Sequence, residues 1–367
     1  MLIKLHGCRM SLRSTGTLAG LICALLVLLY SLDTATSGQY IRIAFGGVKE
    51  TGFSRPVEEY ISYLLKTDPR TAEFVDTSEA DALFNKVRIL CLILTTETNL
   101  HTRARAVNAT WARRCNSHYF VLQTRDEKDD VIMTPYKETR NNLIYKVRHA
   151  MIHAYTNLMG TFDWVLKADD DTYVIMENLR FLLSNYEKDK PGYLGYHFNM
   201  YVENHGYMSG GAGYVMSVAA LRQMVDYNLK NDACALTKTY LIPEVSEDFE
   251  IGKCLKIVGV PVLTTMDFLG RETFHPYPFE QYLLDFLPEY LYDWSNTRPQ
   301  TGYNCCSPFS ISFHYMKPES MLMMDHLLYR IHVHGRNTAG NQADKSIFRP
   351  GRVENMRKPK DVIDRLV

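Results

Sequence analysis

Two short apolar runs separated by a helical segment constrain the fold more than any other feature of the chain. Residues 86–97 read KVRILCLILTTE, a run rich in branched side chains that is typical of a buried strand, and residues 119–123 (YFVLQ) form a second. The segment from Asn99 to Arg114 between them has helical spacing, which predicts a β-α-β unit. The alternation continues with helices predicted at 57–65, 141–158, 176–186, 218–229 and 249–258, and strands at 163–168 and 261–265. The fold class is therefore α/β, an open and mostly parallel sheet flanked by helices, which binds ligands beyond the carboxyl ends of its strands.

The amino terminus predicts a membrane anchor. Residues 14–32 carry no charge, and 18–30 read LAGLICALLVLLY, nearly the ~20 residues that cross a bilayer. Lys4, Arg9 and Arg13 precede the run, so the positive-inside rule leaves the amino terminus in the cytosol and the bulk of the chain in the lumen. A cleaved signal peptide is the alternative, with small residues at 34–38 as a processing site. Either reading sends the chain into the secretory pathway, and so short a span favours the thin membranes of the endoplasmic reticulum or Golgi.

Composition shifts divide the chain further. We predict a cytosolic tail (1–13), an anchor (14–32), a stem (33–85), a catalytic domain (86–335) and a polar, basic carboxyl-terminal tail (336–367). Lys plus Arg and Asp plus Glu each number 41, so no overall basic field exists to bind nucleic acid. A hydrophobic share of 46% excludes a mostly disordered chain.

Six cysteines follow the anchor, and an even number in an oxidising compartment indicates disulfides. We expect Cys91 to pair with Cys115, and Cys234 and Cys254 to pair with the doublet Cys305-Cys306. A zinc site is the weaker alternative because the chain has no C-x-x-C pair. Asn108 begins the only N-x-[ST] sequon, and its glycosylation stays open because the segment also has helical spacing.

Three consecutive acids follow the predicted strand at 163–168. In extended backbone, residues i and i+2 share a face, so Asp169 and Asp171 point together while Asp170 points away. Two convergent carboxylates suit Mg²⁺ or Mn²⁺, and such an ion holds a diphosphate. The alternative is a solvated acidic turn, or Asp171 capping the next helix.

Two further motifs offer a binding loop and a general base. The segment 206–215 (GYMSGGAGYV) contains Gly210, Gly211 and Gly213, which admit close approach of a ligand to the main chain but serve equally in a tight turn. In the segment 246–250 (SEDFE), Ser246 or Asp248 could cap the helix that follows, or an acid there could act as general base. His314, in Ser312-Phe-His-Tyr315, is a core histidine or the third ligand of the metal.

Seven ordered motifs resemble the Fringe-like group of glycosyltransferase family 31, from about Lys86 to Arg330. They are 87–91 (VRILC), 109–115 (ATWARRC), 163–174 (DWVLKADDDTYV), 206–214 (GYMSGGAGY), 272–276 (ETFHP), 305–307 (CCS) and 312–315 (SFHY). The resemblance implies a GT-A fold and a Golgi type II membrane enzyme with its catalytic domain in the lumen. It also implies transfer of galactose from UDP-galactose to the 3-OH of GalNAc on Ser or Thr, with Mn²⁺ and inversion at the anomeric carbon.

The resemblance assigns roles to individual residues. It implies that Asp169, Asp171 and His314 hold the metal, and that Asp248 of Glu247-Asp248 is the base. Residues implied to border the donor or acceptor are Asp170, Glu247, Tyr207, Gly210, Gly211 and Gly213. Trp294 matches an aromatic residue near the acceptor sugar, with a buried core position as the alternative.

Two rival functions stay open. The first is a related inverting transferase that uses another UDP-sugar or acceptor. The second is a chaperone or glycan-binding relative without turnover, which should have lost its metal acids and base, whereas Asp169, Asp171 and Asp248 are all present. The partners are thus the nucleotide sugar, a GalNAc-bearing glycoprotein and the membrane; a homodimer is left open.

Overall fold

A computed structural model describes residues 53–70, 76–125, 129–231 and 246–331, with side chains undescribed at 228–231. The chain divides into two compact units, Met1–Val57 and Glu58–Val367, and only residues 53–57 of the first are described. The predicted cytosolic tail (1–13), the predicted anchor (14–32), residues 33–52 and 71–75 of the predicted stem, Cys234 and the predicted carboxyl-terminal tail (336–367) lie outside the described residues. Within the described ranges, no helix combines the length and the apolar character that crossing a bilayer requires.

A six-stranded sheet forms the centre of the larger unit. Its strands are β1 (Ile89–Leu94), β2 (Ser117–Leu122), β3 (Val131–Met133), β4 (Trp164–Asp169), β6 (Tyr193–Gly195) and β9 (Tyr214–Ser217). They lie in the order β3-β2-β1-β4-β9-β6. The first four strands of that order are mutually parallel, and β9 runs antiparallel to both β4 and β6. Every residue of β1 is buried, as its uninterrupted apolar run predicts for a strand covered on both faces.

Two small sheets complete the strands. Their strands are β5 (Tyr173–Val174), β7 (His197–Phe198), β8 (Tyr207–Met208), β10 (Phe274–His275) and β11 (Ser312–Phe313). One sheet has the strand order β10-β11-β5, and the other pairs β7 with β8. The strand predicted at 261–265 was wrong in extent, because it forms only an isolated parallel bridge from Val262 to Tyr193.

Helices cover the sheet, and all but one of the long helices match the sequence prediction. Their bounds are α1 (Arg55–Lys66), α2 (Ser78–Lys86), α3 (Arg103–Ala109), α4 (Leu143–Asn157), α5 (Met176–Leu183), α6 (Val218–Asn231), α7 (Glu247–Ile257), α8 (Phe279–Leu283), α9 (Glu289–Trp294) and α10 (Pro318–Tyr329). Apolar residues of α4, α6 and α7 form one buried cluster with β1, β4 and β9. The short helices α2, α8 and α9 and the 12-residue helix α10 were not predicted.

The disulfides correct one sequence prediction. Cys91 in β1 is bonded to Cys115, as expected. Cys305 and Cys306, however, are bonded to each other, so they are not the partners of Cys234 and Cys254. Because each sulfur of the doublet is bonded to the other, neither can form a bond with Cys234 or Cys254. Cys254 is disulfide-bonded as well, and its partner lies outside the described residues.

Candidate active site

The carboxyl end of β4 carries a cluster of three side chains that could hold a metal ion. Asp169 is the last residue of β4, Asp171 follows two positions later, and His314 directly follows β11. One ligand atom from each lies within 4.8 Å of the others. The prediction that Asp169 and Asp171 converge is therefore confirmed, and His314 joins them from the neighbouring small sheet.

Hydrogen bonds orient the imidazole of His314 toward the carboxylates. Its Nδ1 lies 3.2 Å from the carbonyl oxygen of Pro276. Because a carbonyl oxygen only accepts, Nδ1 carries a hydrogen, which leaves Nε2 as the ring atom that faces Asp171, 3.2 Å from Oδ1. Two carboxylates and one imidazole nitrogen are a donor set that suits Mn²⁺.

The guanidinium of an arginine also lies against the carboxylate of Asp171. The guanidinium of Arg103, at the start of α3, is 3.1 Å from Oδ2 of Asp171 and 3.5 Å from Oδ1 of Asp170. Burial alone would raise the pKa of Asp171, but its contacts with His314 and Arg103 lower it. Asp171 is thus held as a carboxylate, the form that binds metal.

Asp170 points away from the cluster, as alternation along a strand predicts. Its Oδ2 accepts hydrogen bonds from the Thr95 hydroxyl at 2.7 Å and the Asn99 amide at 2.9 Å. Burial is the main cause that raises the pKa of Asp170. The side chain therefore ties the strand end to the loop after β1.

Lys167 lies beneath the acidic residues with a side chain only 2% exposed. Its Nζ is 2.8 Å from Oδ1 of Asp169 and 3.2 Å from Oε2 of Glu247. Burial would lower the pKa of Lys167, but Asp169 and Glu247 raise it, so the amine stays an ammonium. The third contact of Nζ is the carbonyl oxygen of Gly210, at 3.1 Å.

Glu247 and Asp248 occupy the first turn of α7 but differ in surroundings. Glu247 is buried, accepts a hydrogen bond of 2.5 Å from the Tyr214 hydroxyl, and has a pKa raised chiefly by burial. Asp248 is half-buried and accepts hydrogen bonds from the backbone amides of Gly210 and Phe249, both at 2.9 Å. Ser246 stands at the N-cap position without a side-chain capping bond, and its hydroxyl donates to Asp248 instead.

The glycine-rich loop fits between these two groups of side chains. A Cβ on Gly211 would approach the imidazole of His314 to between 2.1 and 2.6 Å, and one on Gly210 would lie 3.0 Å from Glu247. Gly213 has a positive φ of 79°, which closes the turn between β8 and β9. The loop is therefore both the predicted tight turn and the element that lets His314 and the Glu247-Asp248 pair approach each other.

Aromatic rings line the side of the site near Asp248. Trp294 is half-buried rather than in the core, with its ring centroid 5.0 Å from that of Tyr290 and 5.5 Å from that of Tyr201. Tyr207 is buried, and its ring centroid is 6.0 Å from that of Phe249. Such surfaces suit the apolar faces of sugar rings.

Two residues of the site were not predicted from the sequence. Arg103 lies inside the predicted helical segment 99–114, where its spacing did not single it out, and in the structure it begins α3. Lys167 stands two residues before Asp169, so the same alternation that paired the acids places it on their face.

Comparisons with known proteins agree with this geometry. Residues 84–320 match the family model described as Fringe-like. The chain is 39% identical, over 71% of its length and 71% of the relative's, to glycoprotein-N-acetylgalactosamine 3-beta-galactosyltransferase 1 of Xenopus laevis. A beta-1,3-glucosyltransferase of Mus musculus is 32% identical over 27% of this chain and 19% of its own. Chondroitin sulfate synthase 3 of Homo sapiens is 24% identical over 46% of this chain and 20% of its own. The chain belongs to the Fringe-like group of glycosyltransferase family 31.

Proposed function

We propose that the protein is an inverting, Mn²⁺-dependent β1,3-galactosyltransferase that transfers galactose from UDP-galactose to the 3-OH of GalNAc on Ser or Thr. The observation that carries the proposal is the pairing of the Asp169, Asp171 and His314 cluster with Asp248 across Gly210 and Gly211. The relative from Xenopus laevis, which covers most of both chains, supports the choice of donor and acceptor.

The residues divide the work of a single displacement. Mn²⁺ held by Asp169, Asp171 and His314 would neutralise negative charge on the departing UDP. Asp248 takes the proton of the acceptor hydroxyl as that oxygen bonds to the anomeric carbon and the bond from that carbon to the UDP oxygen breaks. Because Asp248 accepts two backbone N–H bonds, its carboxylate is fixed at one edge of the site. One attack on one carbon inverts its configuration.

A panel of donors tests the proposal directly. The purified protein is incubated with GalNAc-peptide and, separately, UDP-galactose, UDP-glucose, UDP-GlcNAc or UDP-glucuronic acid, with Mn²⁺ or with EDTA. We expect product only from UDP-galactose and only when Mn²⁺ is present, and NMR should show a β1,3 linkage in that product. Product from another donor would instead indicate a related transferase. The shorter alignment to a beta-1,3-glucosyltransferase is the reason for including UDP-glucose among the donors. No product from any donor, with retained glycan binding, would favour the chaperone or glycan-binding relative.

Replacing one metal carboxylate tests the cluster. Asp171→Asn should lower transfer by at least about 100-fold and abolish Mn²⁺-dependent UDP binding in calorimetry, because a neutral amide is a weaker ligand of nearly the same shape. The matched control is Asp189→Asn, the same change at an exposed position, which should keep wild-type rates. If the Asp171→Asn protein binds UDP and Mn²⁺ normally, the three acids form only a solvated turn and do not hold a metal.

The compartment is part of the proposal. We propose a Golgi type II membrane protein anchored by residues 14–32, with the catalytic domain in the lumen. Protease treatment of intact vesicles from cells that express the full chain should spare the catalytic domain, and detergent should expose it. A catalytic domain digested without detergent would place it in the cytosol.

A further inference from the structure

The ammonium of Lys167 joins three segments of the chain that are distant in sequence. Its three contacts are Asp169 at the end of β4, the carbonyl of Gly210 in the glycine-rich loop, and Glu247 in the first turn of α7. An ammonium has three N–H donors, so these contacts use all of them. Each segment contributes to a different part of the site.

The contact with Gly210 reaches Asp248 through one peptide. The carbonyl of Gly210 accepts from Lys167, and the amide of the same residue donates to Oδ2 of Asp248 at 2.9 Å. Lys167 also holds Glu247, the residue next to Asp248 on α7. Two independent contacts therefore connect the ammonium with the turn that carries the proposed base.

The contact with Asp169 connects the same ammonium to the metal cluster. Oδ1 of Asp169 is occupied by Lys167, which orients the carboxylate. Lys167 itself is nearly inaccessible, so it touches neither donor nor acceptor. It can act only through the three groups it holds.

We propose that Lys167 is a positioning residue that fixes the base Asp248 relative to the metal carboxylate Asp169. The alternative is that Lys167 only neutralises the buried charge of Glu247 and has no effect on geometry. The kinetic consequence rests on the proposed function. A displacement of about 1 Å between reacting groups can lower a rate about 100-fold, so loss of this connection should appear in kcat.

A double variant separates positioning from neutralisation. Lys167→Met alone would leave Glu247 as an uncompensated buried charge, so Lys167→Met is combined with Glu247→Gln, which removes that charge with little change in shape. The reference is Glu247→Gln alone, so that any effect of Glu247 itself is common to both proteins. If Lys167 only neutralises Glu247, the double variant should transfer galactose within threefold of the rate of Glu247→Gln, which would overturn the proposal. If Lys167 positions the base, kcat should fall about 100-fold below that of Glu247→Gln while the KM for UDP-galactose and Mn²⁺-dependent UDP binding change less than about threefold.

Hydrogen exchange gives a readout that does not depend on the substrate. In the double variant, peptides that cover Gly210 should exchange their amide hydrogens at least about 10-fold faster, with β1 unchanged, because the Gly210 peptide loses its charged partner. Unchanged exchange at Gly210 would overturn positioning. Should the wild-type protein transfer no galactose, the proposed function fails, and exchange at Gly210 still decides the role of Lys167.

A second variant covers the case in which the double variant does not fold. Lys167→Arg keeps the charge that Glu247 requires, but a planar guanidinium cannot direct N–H groups at the same three points. Positioning predicts a kcat at least about 10-fold below wild type with UDP and Mn²⁺ still bound. Transfer by Lys167→Arg within threefold of wild type would overturn the proposal.

Discussion

One substitution separates the structural role of Asp248 from its proposed catalytic role. It accepts hydrogen bonds from the Gly210 and Phe249 amides, and the second of these is a first-turn amide of α7. Asp248→Asn keeps one carbonyl oxygen as acceptor but cannot take a proton. We therefore expect a loss of about 0.5 to 2 kcal/mol in the free energy of unfolding, but a fall of about 10² to 10⁴-fold in transfer rate.

The measurement pairs urea unfolding with galactose transfer and with calorimetry of UDP and Mn²⁺, which should stay close to wild type. An Asp248→Asn protein that transfers galactose at near wild-type rate would exclude this residue as the base. Glu247 would not be the obvious replacement, because its carboxylate is buried against Lys167 and Tyr214.

At this scale, the sequence predicted residues whose position follows from backbone periodicity. Asp169 and Asp171 converge because alternate side chains of a strand share a face. Side-chain chemistry offered His314 as a third ligand but left a core position open, and the resemblance favoured the ligand role, since no local rule joins two different sheets. The proposed role of Lys167 depends on its contacts with Gly210 and Glu247, and no pattern in the sequence predicts those contacts.

Most of the long secondary-structure elements were predicted, and α10 (Pro318–Tyr329) is the exception. The parallel pairing of β1 with β2 and the helices α4, α6 and α7 follow from apolar runs and helical periodicity. Two-residue strands such as β5 and β11 are too short to show a period of alternating side chains. They form because they pair with each other, and that contact is not visible in the local sequence. The cysteine doublet was mispredicted for a related reason, since spacing alone does not fix disulfide connectivity.

The disulfide between Cys91 and Cys115 should stabilise the start of the β-α-β unit. The two cysteines are separated by 24 residues, a loop for which chain-entropy arguments give about 3 kcal/mol. Cys91→Ala combined with Cys115→Ala should lower the free energy of unfolding by about 2 to 4 kcal/mol in urea. The loss should disappear when both proteins are compared in reductant that opens the bond, and an equal stability under oxidising conditions would contradict the assignment.

At the scale of the whole molecule, the site is formed by elements that are distant from one another in the sequence. The candidate metal cluster joins the central sheet to the small sheet β10-β11-β5, while the proposed base lies on α7, on the other side of the glycine-rich loop. The sequence predicted the edge of the sheet at which ligands bind, because parallel strands end together there. Periodicity alone does not predict which distant segments complete that edge, because their contacts are tertiary, and here the resemblance supplied them.

The stability of the whole fold should depend on pH through His197. Its Nε2 lies 2.8 Å from the carbonyl of His205, its buried Nδ1 has no partner within the described ranges, and burial lowers the pKa of His197 to about 4. An unfolded histidine titrates near pH 6.5, so between about pH 4 and 6.5 the unfolded chain binds a proton that the folded chain does not. Stability from this residue is therefore fully present above pH 6.5 and is lost as pH falls toward 4, by on the order of 2 to 3 kcal/mol.

Urea unfolding at steps from pH 4 to 7.5 measures this effect, and His197→Gln isolates it from the other histidines. The slope of unfolding free energy against pH gives the number of protons taken up on unfolding, and it should be smaller by about one proton in His197→Gln across this window. The comparison is between slopes because the substitution also alters the hydrogen bond to His205 at every pH. Equal slopes for the two proteins would mean that His197 titrates normally in the folded state and that its burial carries no electrostatic cost.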